Sequence, residues 1–217
     1  MKPDKEADLV QERTWAFFSK VLSAAQAKLK LHREAWRQLH EHGQPNEESA
    51  KLLGEKIDSA TRLVDGVAMQ LYFASGAFHG NNDKDAKALT PAQLQRFCRE
   101  SAPLFSALAS ELHPHTAYQI VQTLQHLLPC APRGIFLLAT KSILSSAAAG
   151  FQNESLAVGE VVKLIQRALA DHRDIFRSAT DHESECLSAL LQVLDLFVEA
   201  GWPEARQLTH RLEEIYR

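Results

Sequence analysis

The first third of the chain carries two series of hydrophobic positions that recur at steps of three and four residues. This spacing is the period of two long helices that pack along one seam. A short connection, Gly43-Gln44-Pro45-Asn46, separates the two series and predicts that the helices are antiparallel neighbours. The first series is Trp15, Phe18, Leu22, Ala25, Leu29, His32, Trp36 and Leu39, and the second is Ala50, Leu53, Ile57, Ala60, Val64, Val67 and Leu71.

Capping signals and a polar loop set the predicted bounds of this hairpin. The first helix is predicted over about residues 5–42, and the second begins after Asn46 as N-cap and ends near Phe73 or Phe78. The run His79-Gly80-Asn81-Asn82-Asp83-Lys84-Asp85 is typical of a loop. The sequence therefore predicts a hairpin domain at residues 1–78, a linker at 79–89 and a second helical domain at 90–217.

Helix starts and stops divide the second predicted domain. Pro91 suits a first helical position, and Pro103 is expected to stop or kink that helix, with another short helix over 104–112. Gly201 is expected to end a helix and Pro203 to open the last one. Three capping boxes are predicted, at Thr90 with Gln93, at Thr116 with Gln119 and at Thr180 with Glu183.

The spacing of helices in this domain predicts a stack of helix pairs. Residues 116–149 and 154–200 each match a pair of roughly 35 to 45 residues, the unit of HEAT-type solenoids. The helix around residues 187–198 carries Val193 and Leu196 outside its main apolar stripe, so neighbours must cover both of its flanks. The predicted fold class is therefore all-α, a long antiparallel helical hairpin followed by stacked helix pairs in an α-solenoid-like arrangement.

Composition and charge argue against several classes of protein. The 217 residues include 24 Lys and Arg against 27 Asp and Glu, and the net charge of −3 exerts no global pull on nucleic acid or anionic membrane. Three widely spaced cysteines, Cys98, Cys130 and Cys186, fit a reducing cytoplasm. No apolar stretch of a signal peptide follows the charged N-terminus, and the longest apolar region, residues 135–149, is too short and polar for a bilayer.

The histidines and cysteines do not assemble a recognisable metal site or active site. Two sets of histidine and cysteine residues are near enough in sequence to be candidates for zinc ligands. Neither set has the spacing of a complete zinc site. Exposed histidines, and a small buried apolar residue at Cys186, are the simpler interpretations. Lys141-Ser142 lacks the glycines of a phosphate-binding loop, and no nucleophile motif is present. We therefore predict no catalytic residue, no metal ligand and no cofactor. The candidate sets are His113 and His115 with His126 and Cys130, and His182 with Cys186.

Two clusters of basic residues are candidates for partner binding. One lies on the first helix beside Trp36, where basic and aromatic side chains alternate, although Glu34 and Glu41 interrupt it. The other is a ridge of mixed charge near residues 167–177, where Arg167 and Asp171 have the spacing of an ion pair. Each cluster is also compatible with an ordinary solvated surface. The candidate partner-binding residues are Lys28, Arg33, Arg37, Arg167, Arg173 and Arg177.

The carboxy-terminal half, over residues 110–217, resembles the helical-repeat tails of very large bacterial proteins. Some of those proteins carry a P-loop ATPase elsewhere and belong to conflict or defence systems. The resemblance implies HEAT-like repeats and a chain that is a fragment or a stand-alone relative of such a tail. It transfers no functional residue, because no string that carries it is a functional motif. The strings are Leu112-His113-Pro114-His115-Thr116, residues 128–138 (LPCAPRGIFLL) and residues 198–206 (VEAGWPEAR).

The sequence favours a non-enzymatic interaction or scaffold module that offers a rigid surface to a protein partner. The hairpin tip, residues 40–46, and the loop at 79–88 are accessible contact candidates. Alternatives are a regulatory or sensor segment of a larger ATPase assembly, a nucleic-acid-binding helical protein and an enzyme of unrecognised type. The expected partner is a protein or the remainder of a longer polypeptide, and not a membrane. A homo-oligomer stays open because a domain-swapped dimer would share the seam pattern.

Overall fold

The computed structural model describes the backbone of residues 5–41, 46–77, 89–109, 114–177 and 184–216, and the side-chain surroundings of 13–41, 46–77, 89–109, 116–177 and 184–210. These ranges contain α-helices and short 3-10 turns and no β-strand, which confirms the all-α class. None of the described helices has the length and hydropathy needed to cross a membrane. The helices are α1 (Lys5–Glu41), α2 (Glu47–Ser75), α3 (Pro91–Leu108), α4 (Pro114–Leu127), α5 (Pro132–Ser146), α6 (Ser155–Asp171), α7 (Glu185–Glu199) and α8 (Pro203–Tyr216).

The chain divides into two compact units, residues 1–70 and residues 71–217. The division falls within α2, whose last residues group with the second unit. The predicted linker at residues 79–89 lies outside the described residues except for its last position, so its role as a boundary stays a prediction.

The first unit contains α1 and most of α2, with the predicted seam buried at its middle. The backbone of Gly54 lies beside the ring of Trp36, since a Cβ added there would be 3.8 Å from Trp36 Cζ3. Asn46 caps α2 as predicted, with its side-chain oxygen accepting the Glu48 N–H at 3.0 Å. Seam positions nearer the tip, such as Ile57, are only half-buried. The buried seam residues are Leu22, Ala25, Leu29, Ala60, Val64 and Val67.

The second unit packs its helices in layers around α4 and α5. α4 contacts α5 and α6, α5 contacts α7, and α7 contacts α8. Phe136 on α5 is fully buried and meets Phe176 edge to face, with ring centroids 5.0 Å apart. At the start of α8 the Trp202 indole N–H donates to the Gln152 carbonyl at 2.7 Å. The predicted stacking of helix pairs in the manner of HEAT repeats stays a prediction.

Most of the predicted helix caps that can be examined are present. The Thr90 box is complete, and Pro91 occupies the first turn of α3. Gly201 adopts a φ of 88°, and the Trp202 N–H bonds to the Phe197 carbonyl at 3.0 Å, which forms the expected glycine stop of α7. The box predicted at Thr180 and Glu183 lies outside the described residues.

Two predictions about helix boundaries are wrong. Pro103 does not separate two helices, because α3 continues through it to Leu108. The proline side chain faces solvent, while Leu104 and Phe105 in the same turn are buried, and their packing offsets a cost of about 3 kcal/mol. Thr116 is not an N-cap, because α4 already begins at Pro114, whose fixed φ suits a first helical position.

Candidate partner-binding groove

A groove of about 740 Å³ lies between α3 and α5, open to solvent rather than enclosed. From α3 it is lined by Arg99, Ala102 and Ser106, which lie at helical steps of three and four and therefore share one face. From α5 it is lined by Gly134, Leu137, Leu138 and Lys141, which share a face for the same reason. The small residues Ala102, Ser106 and Gly134 leave room for the groove between the two helices. The two leucines supply its apolar floor.

The charge of the groove is entirely positive. Arg99 and Lys141 are exposed, and neither makes an ion pair or a side-chain hydrogen bond with a residue that the structure describes. Among the described residues, no acidic side chain lines this groove. Neither cation is therefore neutralised by a carboxylate in the described wall of the groove.

A second, smaller groove of about 470 Å³ runs between α5 and α7 and shares Leu137 and Lys141 with the first. It includes Glu185, whose carboxylate is paired with Arg133 at 3.2 Å. The second groove thus includes an acidic residue that is paired with Arg133, whereas none of the described residues that line the first groove is acidic. Lys141 lies between the two and is accessible from both.

Two thiols meet at the wall of the groove between α3 and α5. Cys98 on α3 and Cys130 on the 3-10 turn Leu128–Cys130 both line the groove, and each influences the pKa of the other. Burial, together with the nearby Cys130 sulfur, raises the pKa of the Cys98 thiol to about 11. Burial also raises the pKa of Cys130, although the hydrogen bond from Cys98 lowers it in part.

A buried polar cluster lies apart from the groove, where α4 and α6 face each other. The Glu160 carboxylate is buried and pairs with Lys163 at 2.7 Å, and Gln122 donates to the Tyr118 hydroxyl at 2.9 Å. Burial first, and the Glu160 charge second, raise the pKa of Tyr118. The pKa of Lys163 is raised by the Glu160 carboxylate. The phenol and ammonium therefore keep their protons at neutral pH, and of the two bonds one lies within α4 and the other within α6.

The six basic residues predicted from the sequence fall at two places, and none of them lines the groove. Arg37 on α1 is held by Glu34, with both carboxylate oxygens 2.6 Å from one guanidinium nitrogen. Arg167 donates to the Gln125 carbonyl at 3.1 Å and lies 3.9 Å from Asp171, which confirms the predicted pair and ties α6 to α4. The other four residues are exposed, namely Lys28, Arg33, Arg173 and Arg177.

The proposed histidine and cysteine sets do not come together where they can be examined. His126 is near Arg167 and the Ser75 backbone, whereas Cys130 faces Cys98. Cys186 is fully buried, and its thiol donates to the Arg133 carbonyl at 4.0 Å. Within the described ranges no group of three or more His, Cys, Asp or Glu side chains is placed to hold a metal ion. His113 and His182 lie outside those ranges.

The groove was not visible to sequence reasoning, which searched for charges that are neighbours along the chain. Arg99 and Lys141 are about forty residues apart and belong to different helices, so only the packing of α3 against α5 brings them to one groove. The one available signal was the smallness of Ala102, Ser106 and Gly134 at helical spacing, which permits close approach but does not identify a groove.

Comparison of the chain with protein-family models, curated proteins and solved structures finds no match. The likeness of residues 110–217 to helical-repeat tails of bacterial ATPases therefore stays a prediction. The geometry and charge of the groove are the observations that bear most directly on function.

Proposed function

We propose that this protein is a non-enzymatic interaction module that holds an acidic amphipathic helix of a partner protein in the groove between α3 and α5. The observation that carries the proposal is the pairing of an apolar floor with two exposed cations, with no acidic residue among the described residues that line it. An amphipathic helix with carboxylates beside its apolar stripe complements both properties. Two helices that form the walls leave a channel in which a third helix can lie.

The open form of the groove favours a helix over a small molecule. Small-molecule sites are usually concave enough to bury most of their ligand, whereas this groove is open to solvent. A partner helix needs only one face covered, and its opposite face stays in water. The stacked contacts of α4 with α6 and α5 with α7 support a HEAT-like scaffold that keeps the groove preformed.

A library of displayed random peptides, selected on the full-length protein, tests this function without assuming the partner. We expect the enriched peptides to carry apolar residues at helical spacing flanked by Asp or Glu. Selection on an Arg99→Glu/Lys141→Glu variant is expected to lose this acidic preference. Enrichment without acidic bias, or an unchanged preference on the variant, would contradict the proposal.

A second pair of substitutions distinguishes the groove from the basic face of α1. Lys28→Glu with Arg37→Glu makes the same change of charge on two residues that do not line the groove. We expect this control to bind a selected acidic peptide as the unmodified protein does, while Arg99→Glu/Lys141→Glu weakens binding by at least about tenfold. The opposite ranking would place the partner on α1.

A further inference from the structure

Two of the three cysteines are neighbours in the fold although far apart in the sequence. Cys98 belongs to α3, and Cys130 ends the 3-10 turn that connects α4 to α5. α3 packs against this turn, and both cysteines line the same groove. Each thiol influences the pKa of the other, which places the two thiols close to each other where α3 packs on the turn. The fold therefore builds a dithiol rather than two isolated cysteines.

The three cysteines differ in what can reach them. Cys130 is half-buried at the open groove, whereas Cys98 is only 6% exposed behind it. Cys186 is fully buried, and its thiol is bonded to the Arg133 carbonyl. A small oxidant in the groove meets Cys130 first and has Cys98 immediately next to it.

We propose that Cys98 and Cys130 are a redox modification site that forms a reversible disulfide within one chain on exposure to a peroxide. The Cys130 thiolate attacks one peroxide oxygen, the O–O bond breaks, and the departing oxygen leaves as water after protonation. Cys98 then loses its proton and attacks the sulfur of the resulting sulfenic acid. The S–O bond breaks, and a second water leaves. Two thiols are oxidised by two electrons in all, and one hydrogen peroxide is reduced to two waters.

The disulfide would bring the two sulfur atoms to about 2.05 Å, the length of an S–S bond, at a place where α3 and the turn already pack together. The crosslink would join α3 to the turn before α5 and close a loop of about 30 residues, which restricts the unfolded chain. Because burial raises the pKa of both thiols, thiolate is scarce at neutral pH and oxidation is slow, so the site responds to sustained rather than brief exposure. This modification does not depend on what the groove binds.

Peptide mapping of the full-length protein tests the proposal directly. The reduced protein is treated with hydrogen peroxide, free thiols are alkylated, and the chain is digested with trypsin. Arg96, Arg99, Arg133 and Arg177 place the three cysteines in three separate tryptic peptides. We expect a crosslinked pair of the Cys98 and Cys130 peptides that dithiothreitol separates, with Cys186 recovered alkylated. Recovery of Cys98 and Cys130 as alkylated thiols, or crosslinks only between molecules, would overturn the proposal.

Single substitutions assign a role to each sulfur. Cys98→Ser is expected to stop at a Cys130 sulfenic acid that dimedone traps, and Cys130→Ser is expected to leave Cys98 reduced. Cys186→Ser is the matched control and should form the crosslink unchanged. If Cys98→Ser disturbs folding, judged by circular dichroism, the half-exposed Cys130→Ser alone decides the question. Crosslinking that survives Cys130→Ser through Cys186 would refute the assignment.

Thermal unfolding gives an independent readout. Oxidation is expected to raise the melting temperature of the unmodified protein by roughly 5 to 10 °C and to leave both the Cys98→Ser and Cys130→Ser variants without that rise. A lower melting temperature after crosslinking would show that the disulfide forms only by distorting the fold, against the proposal.

Discussion

The first unit, residues 1–70, and the second unit, residues 71–217, bury their apolar residues differently. In residues 1–70 the best-buried positions form one stripe on each helix, and large apolar side chains such as Phe17 and Leu31 are more than half exposed. In residues 71–217, α4 buries residues on several sides, because α3, α5 and α6 all contact it. The difference shows that a one-sided helix depends on a few seam residues, whereas a covered helix distributes its packing over many neighbours.

The basic residue predicted on α1 and the two at the groove differ in whether they are paired. Arg37 on α1 is neutralised by Glu34 one turn away, so this part of the basic face supplies its own counter-charge. Arg99 and Lys141 at the groove have no such partner among the residues that are described. Charges that a helix satisfies within itself are poor evidence of binding, and charges that the tertiary fold leaves unsatisfied are better evidence.

The largest expected effect is at the centre of the second unit. Phe136→Ala removes a fully buried ring that contacts Phe176 and should lower the free energy of unfolding by about 3–5 kcal/mol, measured by urea denaturation. Phe17→Ala removes the same ring from a position that is 61% exposed and should cost less than about 1 kcal/mol. Equal losses at both sites would break the contrast between covered and uncovered helix faces.

A smaller loss is expected at the seam of the hairpin. Leu29→Ala deletes a buried seam residue and should destabilise the hairpin by about 2–4 kcal/mol, followed by urea denaturation. Leu31→Ala, two residues along α1 and 65% exposed, should change stability by no more than about 0.5 kcal/mol. A large loss at Leu31 would reveal that its face is covered in solution.

The helix start at Thr90 should contribute less again. Thr90→Ala removes the side-chain oxygen that accepts the Gln93 N–H at 3.3 Å and should cost about 1 kcal/mol of unfolding free energy. Thr90→Ser keeps an acceptor at the same place and is expected to retain most of that stability. Equal effects of alanine and serine would show that the cap does not stabilise α3.

The smallest expected effect is a pH dependence from His126. Burial, with a further contribution from Arg167, lowers its folded-state pKa below the ordinary 6.5. As the pH falls through 6.5, the unfolded chain takes up a proton that the folded protein does not yet bind. The stability that neutral His126 contributes is therefore present above this pH and is lost as the pH falls towards the folded-state pKa. Urea denaturation above and below this pH should show that the free energy of unfolding decreases more on acidification in the unmodified protein than in His126→Gln. His210→Gln changes an exposed histidine of α8 and is the control. If His126→Gln lost as much stability on acidification as the unmodified protein, the pH dependence would not come from His126.

Local sequence rules found the helices because local physics determines them. The periodic spacing predicted buried positions such as Leu22 and Val64, and the glycine at 201 marked the stop of α7. The same rules were wrong at Pro103, because they could not include the tertiary packing of Leu104 and Phe105 that keeps α3 continuous. The type of each element could thus be predicted from the sequence, whereas a helix boundary that depends on tertiary contacts could not.

The groove was out of reach for the same physical reason. Its cations come from α3 and α5, and neither belongs to a cluster along the chain. The thiol pair likewise joins two segments that only folding brings together. Sequence reasoning identified Arg37 and its neighbours because it could see only charges close in sequence, and those are the charges most readily satisfied by their own helix.

The salt dependence of peptide binding tests the central claim most directly. Fluorescence anisotropy of one selected acidic peptide should show affinity for the unmodified protein that falls as ionic strength rises, because Arg99 and Lys141 are exposed and screened by ions. The Arg99→Glu/Lys141→Glu variant should bind weakly, and added salt should not weaken it further. Equal affinity and equal salt dependence for the two proteins would contradict a function based on the charge of this groove.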